Sequence, residues 1–185
     1  DISNPFFSSL ARIIENEAAK HGYTVIFGSS DEQFEKSQSL IDAFISRQVD
    51  GLIIAPVEGT QNQIMALKEH GVPVVLIDRG LSELETHTVT INNYESVFNA
   101  VDLLVKNGYQ KIGMLAYESS LRHMQERIKG YKDALMNNHL EFWQEMLVKL
   151  PYHHELGLIE EIIMRLITDS KMDALVLATN SISLN

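Results

Sequence analysis

Three times along this chain an amphipathic helical stretch runs into a glycine and then into a short β-branched segment: "EAAKHGYTVIFG", "ALKEHGVPVVLID" and "LLVKNGYQKIGML". Gly22, Gly71 and Gly108 stand where a helix ends in the left-handed conformation that glycine adopts cheaply, and each follows a lysine near the negative end of the helix dipole. A strand is expected after each of them. Apolar runs predict strands over residues 24–27, 51–55, 74–77, 88–91, 111–115, 146–148 and 174–177.

Helices come from the spacing between those runs. Phe34, Ile41, Phe44 and Ile45 share one face, as do Val97, Val101 and Leu104, then Met124, Ile128, Tyr131 and Leu135, then Ile159, Ile162, Ile163 and Leu166. Asn4 caps a helix with Pro5 in its first position, Thr60 and Gln63 form a capping box, and Ser30 or Asp31 caps the helix after "FG". Strand and helix alternate nearly throughout, and the strands are continuous apolar runs, so both faces of the sheet should be covered by helices. The expected fold class is α/β: a doubly wound parallel sheet, or two of them. No low-complexity stretch interrupts the chain, so a domain boundary falls at a strand crossing, with the polar end of the strand near residues 90–93 as its place.

Composition narrows the chemistry. With 185 residues, 45% of them apolar, the chain can bury a real core, and no apolar run approaches the length of a membrane span. The first residues lack the basic start and apolar stretch of a secretory signal. A net charge of −10 with dispersed Lys and Arg argues against nucleic acid binding by these residues, and the absence of cysteine excludes disulfides and thiolate metal sites and fits a cytoplasmic protein.

The segment "VVLIDRG" sets Asp78 and Arg79 at the end of a buried-looking strand. In open parallel sheets, ligands bind beyond the carboxyl ends of strands, so the pair is either a solvated ion pair or part of a binding site. Three other features bear on that choice. "SNPFF" puts Asn4, Phe6 and Phe7 at a helix start that would share the same sheet edge, "ERIKGY" places Arg127 on the face opposite Ile128 and Tyr131, and "ATN" ends a strand at Thr179 and Asn180.

Taken in order, the phrases "DISNPFFSSLARIIENEAAKHGY", "RQVDGLIIAP", "GVPVVLIDR", "NGYQKIG", "RIKGYKDAL" and "DALVLATN" make the chain similar to the effector-binding core of the lactose and galactose repressor family. That family of bacterial transcription regulators shares its fold with periplasmic sugar-binding proteins of the ribose-binding type. The resemblance implies two doubly wound parallel-sheet lobes of the type I periplasmic-binding-protein kind, residues 1–91 and 92–185, the second incomplete, with a helix-turn-helix expected before residue 1. It further implies a small molecule held between the lobes. Asn4, Phe6 and Phe7 match first-helix ligand residues, Asp78 and Arg79 the strand-end pair that grips hydroxyls, and Arg127 the second-lobe arginine. Tyr152, in "KLPYHHE", matches an aromatic cover, and Thr179 or Asn180 a polar strand-end residue.

A carboxylate that accepts from adjacent hydroxyls, guanidinium groups that donate to oxygen and rings that cover C–H faces suit a sugar or similar polyol. Two arginines facing one aspartate favour an anionic sugar acid or sugar phosphate. The chain departs from the family at Asn180, where an acidic residue is frequent, and at "INNY", where an aspartate is common; Leu121 replaces an arginine used by a purine-responsive relative. The family also implies a homodimer and operator DNA as partner through a domain outside this chain. A periplasmic sugar carrier of a transporter is the alternative, distinguished by the residues before Asp1.

No catalytic motif, metal site or cofactor is expected. There is no G-x-G-x-x-G, Walker loop or G-x-S-x-G, and His153-His154-Glu155 reads as a solvated loop because adjacent side chains there reach one ion poorly.

Overall fold

The computed structural model describes residues 4–81, 84–155 and 157–183, and the chain divides into two units, Asp1–Val75 and Leu76–Asn185. The first unit opens with helix α1 (Pro5–Lys20), whose N-cap Asn4 accepts a hydrogen bond from Phe6 N at 3.0 Å. After it come α2 (Phe34–Ser46), strand β1 (Leu52–Ile54), α3 (Gln61–Glu69) and the start of β2 (Val74–Ile77). Leu52 N–H donates to Pro73 O at 2.9 Å, which sets β1 beside the approach to β2.

Gly22, Gly71 and Gly108 have φ of 79°, 74° and 94°, as their position after a helix requires. Each closes its helix with the same double hydrogen bond; at the first, Tyr23 N–H reaches Ala18 O and Gly22 N–H reaches Ala19 O, both at 3.1 Å. Gln48 and His139 take the same position with φ of 54° and 58°, without glycine's freedom.

Several local expectations fail in this unit. Residues 24–27 form no strand, because apolar content cannot substitute for a ladder partner, and none pairs with them among the described residues; Ile26 is 55% exposed. Of the face expected on α2, only Ile41 is buried. Asp31 does not cap α2; its carboxylate is taken by Ser29 Oγ, at 2.6 Å, and by Lys36, and the cap position falls to Gln33. Thr60 stands at the N-cap of α3, yet its hydroxyl donates backwards to Val57 O at 2.6 Å, while Gln63 turns inward to accept from Ser37 Oγ at 3.3 Å.

The second unit starts within β2. Asp78 N–H donates to Val89 O at 2.9 Å, pairing the end of β2 with β3 (His87–Val89), whose three residues are exposed. The chain continues through α4 (Asn93–Lys106), β4 (Ile112–Tyr117), α5 (Arg122–Asn137), β5 (Leu147–Leu150), α6 (Leu158–Thr168), β6 (Ala174–Leu177) and a helical turn α7 (Asn180–Ser183). The later strands form a parallel sheet in the order β5-β4-β6, in register from Met114↔Leu147 to Tyr117↔Leu150 on one side and from Ile112↔Ala174 to Leu115↔Leu177 on the other.

All six residues of β4 are buried, the pattern of a strand covered on both faces. Val97 and Val101 from α4, Met124, Ile128, Tyr131 and Leu135 from α5, and Ile159, Ile162 and Leu166 from α6 join its core, as their spacing predicts. Helices α4 and α5 pack closely because Gly130 has no side chain: a Cβ there would lie 2.3 Å from Tyr94 O. Asp173 fastens the start of the sheet, its carboxylate accepting from Gln110 N and Lys111 N at 3.0 and 2.9 Å. With β4 central, the chain crosses to one side for β5 and back to the other for β6. The carboxyl ends of these strands therefore flank a topological switch point.

Candidate functional site

Asp78 follows β2 with φ of 64°, a left-handed conformation costly for a residue with a Cβ. The next residue turns tightly, Arg79 N–H donating to Ile77 O at 2.7 Å. The two charges meet at this turn: Arg79 is only 4% exposed, and its Nε donates to Asp78 Oδ2 at 3.2 Å. The pair is therefore largely withdrawn from solvent, with side chains 5% and 15% exposed for Arg79 and Asp78. Arg79 Nη2 also donates to the Tyr152 hydroxyl at 3.2 Å, from the segment just after β5, and the Tyr152 ring stacks on Tyr117 at 4.3 Å between centroids.

Arg127 projects from α5. Its Nε donates to Asn93 Oδ1 at 2.8 Å and its Nη1 to Ala178 O at 2.6 Å, so the start of α4 and the end of β6 both fix it. Burial pulls its pKa below the ordinary value, Asp78's charge opposes that, and Arg79's adds to it. The guanidinium remains charged nonetheless, since arginine does not lose its proton in proteins.

One residue of this cluster escaped the sequence reading. His123 lies one turn before Arg127 on α5, is 7% exposed, and its Nδ1 is buried without a hydrogen-bond partner. Burial first, then the charges of Arg79 and Arg127, push its pKa down to about 3, so the imidazole is neutral at physiological pH. The signal available was its spacing of four from Arg127.

The remaining candidates are placed differently. Thr179 is half-buried and its Oγ1 accepts from Ile182 N at 3.4 Å; Asn180 is exposed and its Oδ1 accepts from Ser183 Oγ at 3.2 Å. It is the backbone of Ala178 that meets Arg127. In the first unit Asn4 caps α1, Phe6 is 46% exposed, and the half-buried Phe7 meets it edge to face at 5.1 Å. The structure therefore brings together Asp78, Arg79, Arg127, Tyr152 and His123. Two guanidinium groups, one carboxylate, a phenol and a neutral imidazole can donate to and accept from a polar, oxygen-rich ligand.

Residues 1–155 match the periplasmic binding protein domain family. The chain is 32% identical over 186 residues to catabolite control protein A of Priestia megaterium, covering 100% of this chain and 55% of that protein. It is 33% identical over 135 residues to the HTH-type transcriptional repressor CytR of Escherichia coli K12, covering 73% of this chain and 40% of the repressor. A solved structure from Burkholderia thailandensis, described as a ribose operon repressor, superposes with a TM-score of 0.87 at 28% identity, covering 100% of this chain and 68% of its own. The chain spans about half the length of the curated relatives it matches. Among the described residues no helix is long and apolar enough to cross a membrane. On this family match and these relatives, the chain belongs to the periplasmic binding protein domain family, as a core domain of the lactose and galactose repressor type.

Proposed function

We infer that this chain is the ligand-sensing part of a bacterial transcription regulator and that Asp78, Arg79, Arg127 and Tyr152 bind a sugar-like effector. The observation that carries the reading is the desolvated Asp78–Arg79 pair, joined to Tyr152 at the carboxyl ends of the strands. A buried pair of this kind does little for stability compared with apolar packing, which supports a role in recognition. Hydroxyl groups on neighbouring carbons suit the carboxylate and guanidinium, and the Tyr152 ring offers a face for C–H groups. Asn4, Phe6 and Phe7 are proposed as further contacts, with Thr179 or Asn180 as a polar neighbour.

In the intact protein, effector occupancy shifts a conformational equilibrium and through it operator affinity, to the extent that the ligand binds one state better than the other. Operator DNA is contacted by a helix-turn-helix outside this chain, the working form is a homodimer, the compartment is the cytoplasm, and no bond is broken. Both curated relatives named above are regulators, which favours sensing over the transport alternative.

Thermal unfolding in a panel of sugars, sugar acids and sugar phosphates tests the reading. A ligand at ~100 times its dissociation constant adds ~2.7 kcal/mol of stability. Asp78→Ala and Arg127→Ala should each abolish the shift; a shift that survives in both variants places the ligand elsewhere.

A further inference from the structure

Asn93 has a side chain that its own helix does not explain. It is 2% exposed at the first position of α4, and the cap of that helix is already supplied by Asn92, whose Oδ1 accepts from Glu95 N at 3.0 Å. The Asn93 amide instead faces two ways: Oδ1 accepts from Arg127 Nε at 2.8 Å, and Nδ2 donates to Ile91 O at 3.2 Å. Reversing it would set N–H against N–H at one end and oxygen against oxygen at the other, so these two neighbours fix its orientation. An aspartate of the same shape accepts but cannot donate, and a leucine does neither.

The consequence falls on Arg127. Of the three nitrogens around its guanidinium carbon two are held, Nε by Asn93 and Nη1 by Ala178 O at 2.6 Å, which fixes the plane and its rotation. The third, Nη2, forms no hydrogen bond among the described residues. The side-chain atoms sealed from solvent there without a partner are Gln63 Nε2 and His123 Nδ1, so Nη2 keeps access to solvent. Both holders are neutral groups, and no carboxylate forms an ion pair with Arg127 among the described residues; Asp78 acts on it only through its field. A carboxylate in the place of the amide would hold the guanidinium as well, but it would also cancel the charge and compete with any incoming oxygen.

We propose that Asn93 is the positioning residue of the site: it orients Arg127 through a neutral acceptor, so that Nη2 meets a ligand oxygen with the charge of the guanidinium uncancelled. This rests on the reading of the cluster as the effector site and adds the residue that prepares its arginine.

Two readouts separate this role from simple packing. In the isotope-labelled chain near neutral pH, the Nε–H resonance of Arg127, assigned by its loss in Arg127→Lys, should persist because its proton is hydrogen-bonded. It should vanish by exchange with water in Asn93→Ala and persist in Asn93→Asp. This readout needs no ligand. The ligand probes are D-ribose and D-glucose beside their acids D-ribonate and D-gluconate, with affinities taken from the concentration dependence of thermal unfolding. Asn93→Ala should weaken each by about tenfold, the scale of one hydrogen bond to a charged group. Asn93→Asp should weaken the acids by about tenfold more than the sugars, because the arginine is then held but neutralised. An asparagine needed only for packing would lower stability in both variants and leave the ratio of acid to sugar affinity unchanged.

An Arg127 Nε–H that stays protected in Asn93→Ala overturns the proposal, as does an unchanged acid-to-sugar ratio in Asn93→Asp. If Asn93→Ala does not fold, Asn93→Asp keeps the shape of the side chain and decides by that ratio. If a sugar-induced shift is removed by Asp78→Ala but is untouched in both Asn93 variants, the effector site stands and the role of Asn93 falls. If no sugar, sugar acid or sugar phosphate gives a shift that Asp78→Ala removes, the site reading has failed and this role goes with it.

Discussion

Glutamine in place of His123 should change how the stability of the ligand-free chain depends on pH. The folded-state pKa of about 3 lies far below the ordinary 6.5, so between those values the unfolded chain binds a proton that the folded chain refuses. A depressed value means that the stability contributed by the neutral ring is fully present above about pH 6.5 and is lost as pH falls toward the folded pKa. Each unit of pH within that window is worth ~1.4 kcal/mol per proton. Between pH 7 and 5 the loss comes to ~2 kcal/mol, because only the lower part of the interval lies well below the unfolded pKa. The size is insensitive to the folded value as long as it stays well below 5. Urea unfolding of both proteins at pH 7, 6 and 5, in chloride without sulfate or phosphate, measures the difference, and subtracting the variant removes every other titrating group. Stabilities that fall in parallel would show that His123 is protonated without penalty and is not desolvated between two cations.

Gly130→Ala adds the better helix former in the middle of α5, worth ~1 kcal/mol in its favour, yet the new Cβ would sit 2.3 Å from the backbone oxygen of Tyr94. Forcing α4 and α5 apart should outweigh that gain and leave a net loss of ~1–3 kcal/mol in chemical denaturation; a stabilised variant would mean that the two helices are not in close register. His139→Gly acts in the opposite sense. His139 holds φ of 58° just after α5, and relief of that conformation should raise stability by ~0.5–1 kcal/mol, read as a higher urea midpoint with unchanged slope.

What could be read from the sequence was the part of the structure governed by near neighbours along the chain. The glycines after α1, α3 and α4 announced left-handed closures because no other residue adopts that conformation as cheaply, and the faces of α4, α5 and α6 followed from spacing alone. The run at residues 24–27 misled because pairing is a property of two segments, and its composition describes only one. Thr60 and Gln63 have the residue types of a capping box, but Ser37 on α2 draws the Gln63 amide inward, a competitor 26 residues away that spacing cannot reveal. At Gln48 and His139, closure occurs without glycine, so the usual marker was missing. His123 was overlooked for a related reason. Its significance lies in two guanidinium groups, one of them Arg79, 44 positions back and outside any local pattern.

The β5-β4-β6 order also bears on how this unit acquires its structure. Strand β4 is made before either of its neighbours, and its second edge must wait for Ala174–Leu177, which begins 62 residues after Ile112. Until that segment docks, six consecutive apolar-facing residues present an unpaired edge to any other strand in reach, and such long-range closure is slow compared with helix formation. During synthesis, then, the interval between emergence of β4 and arrival of β6 is when this unit is most exposed to aggregation, and the Asp173 carboxylate, which takes the amides of Gln110 and Lys111 just before the waiting strand, acts as the latch that ends it.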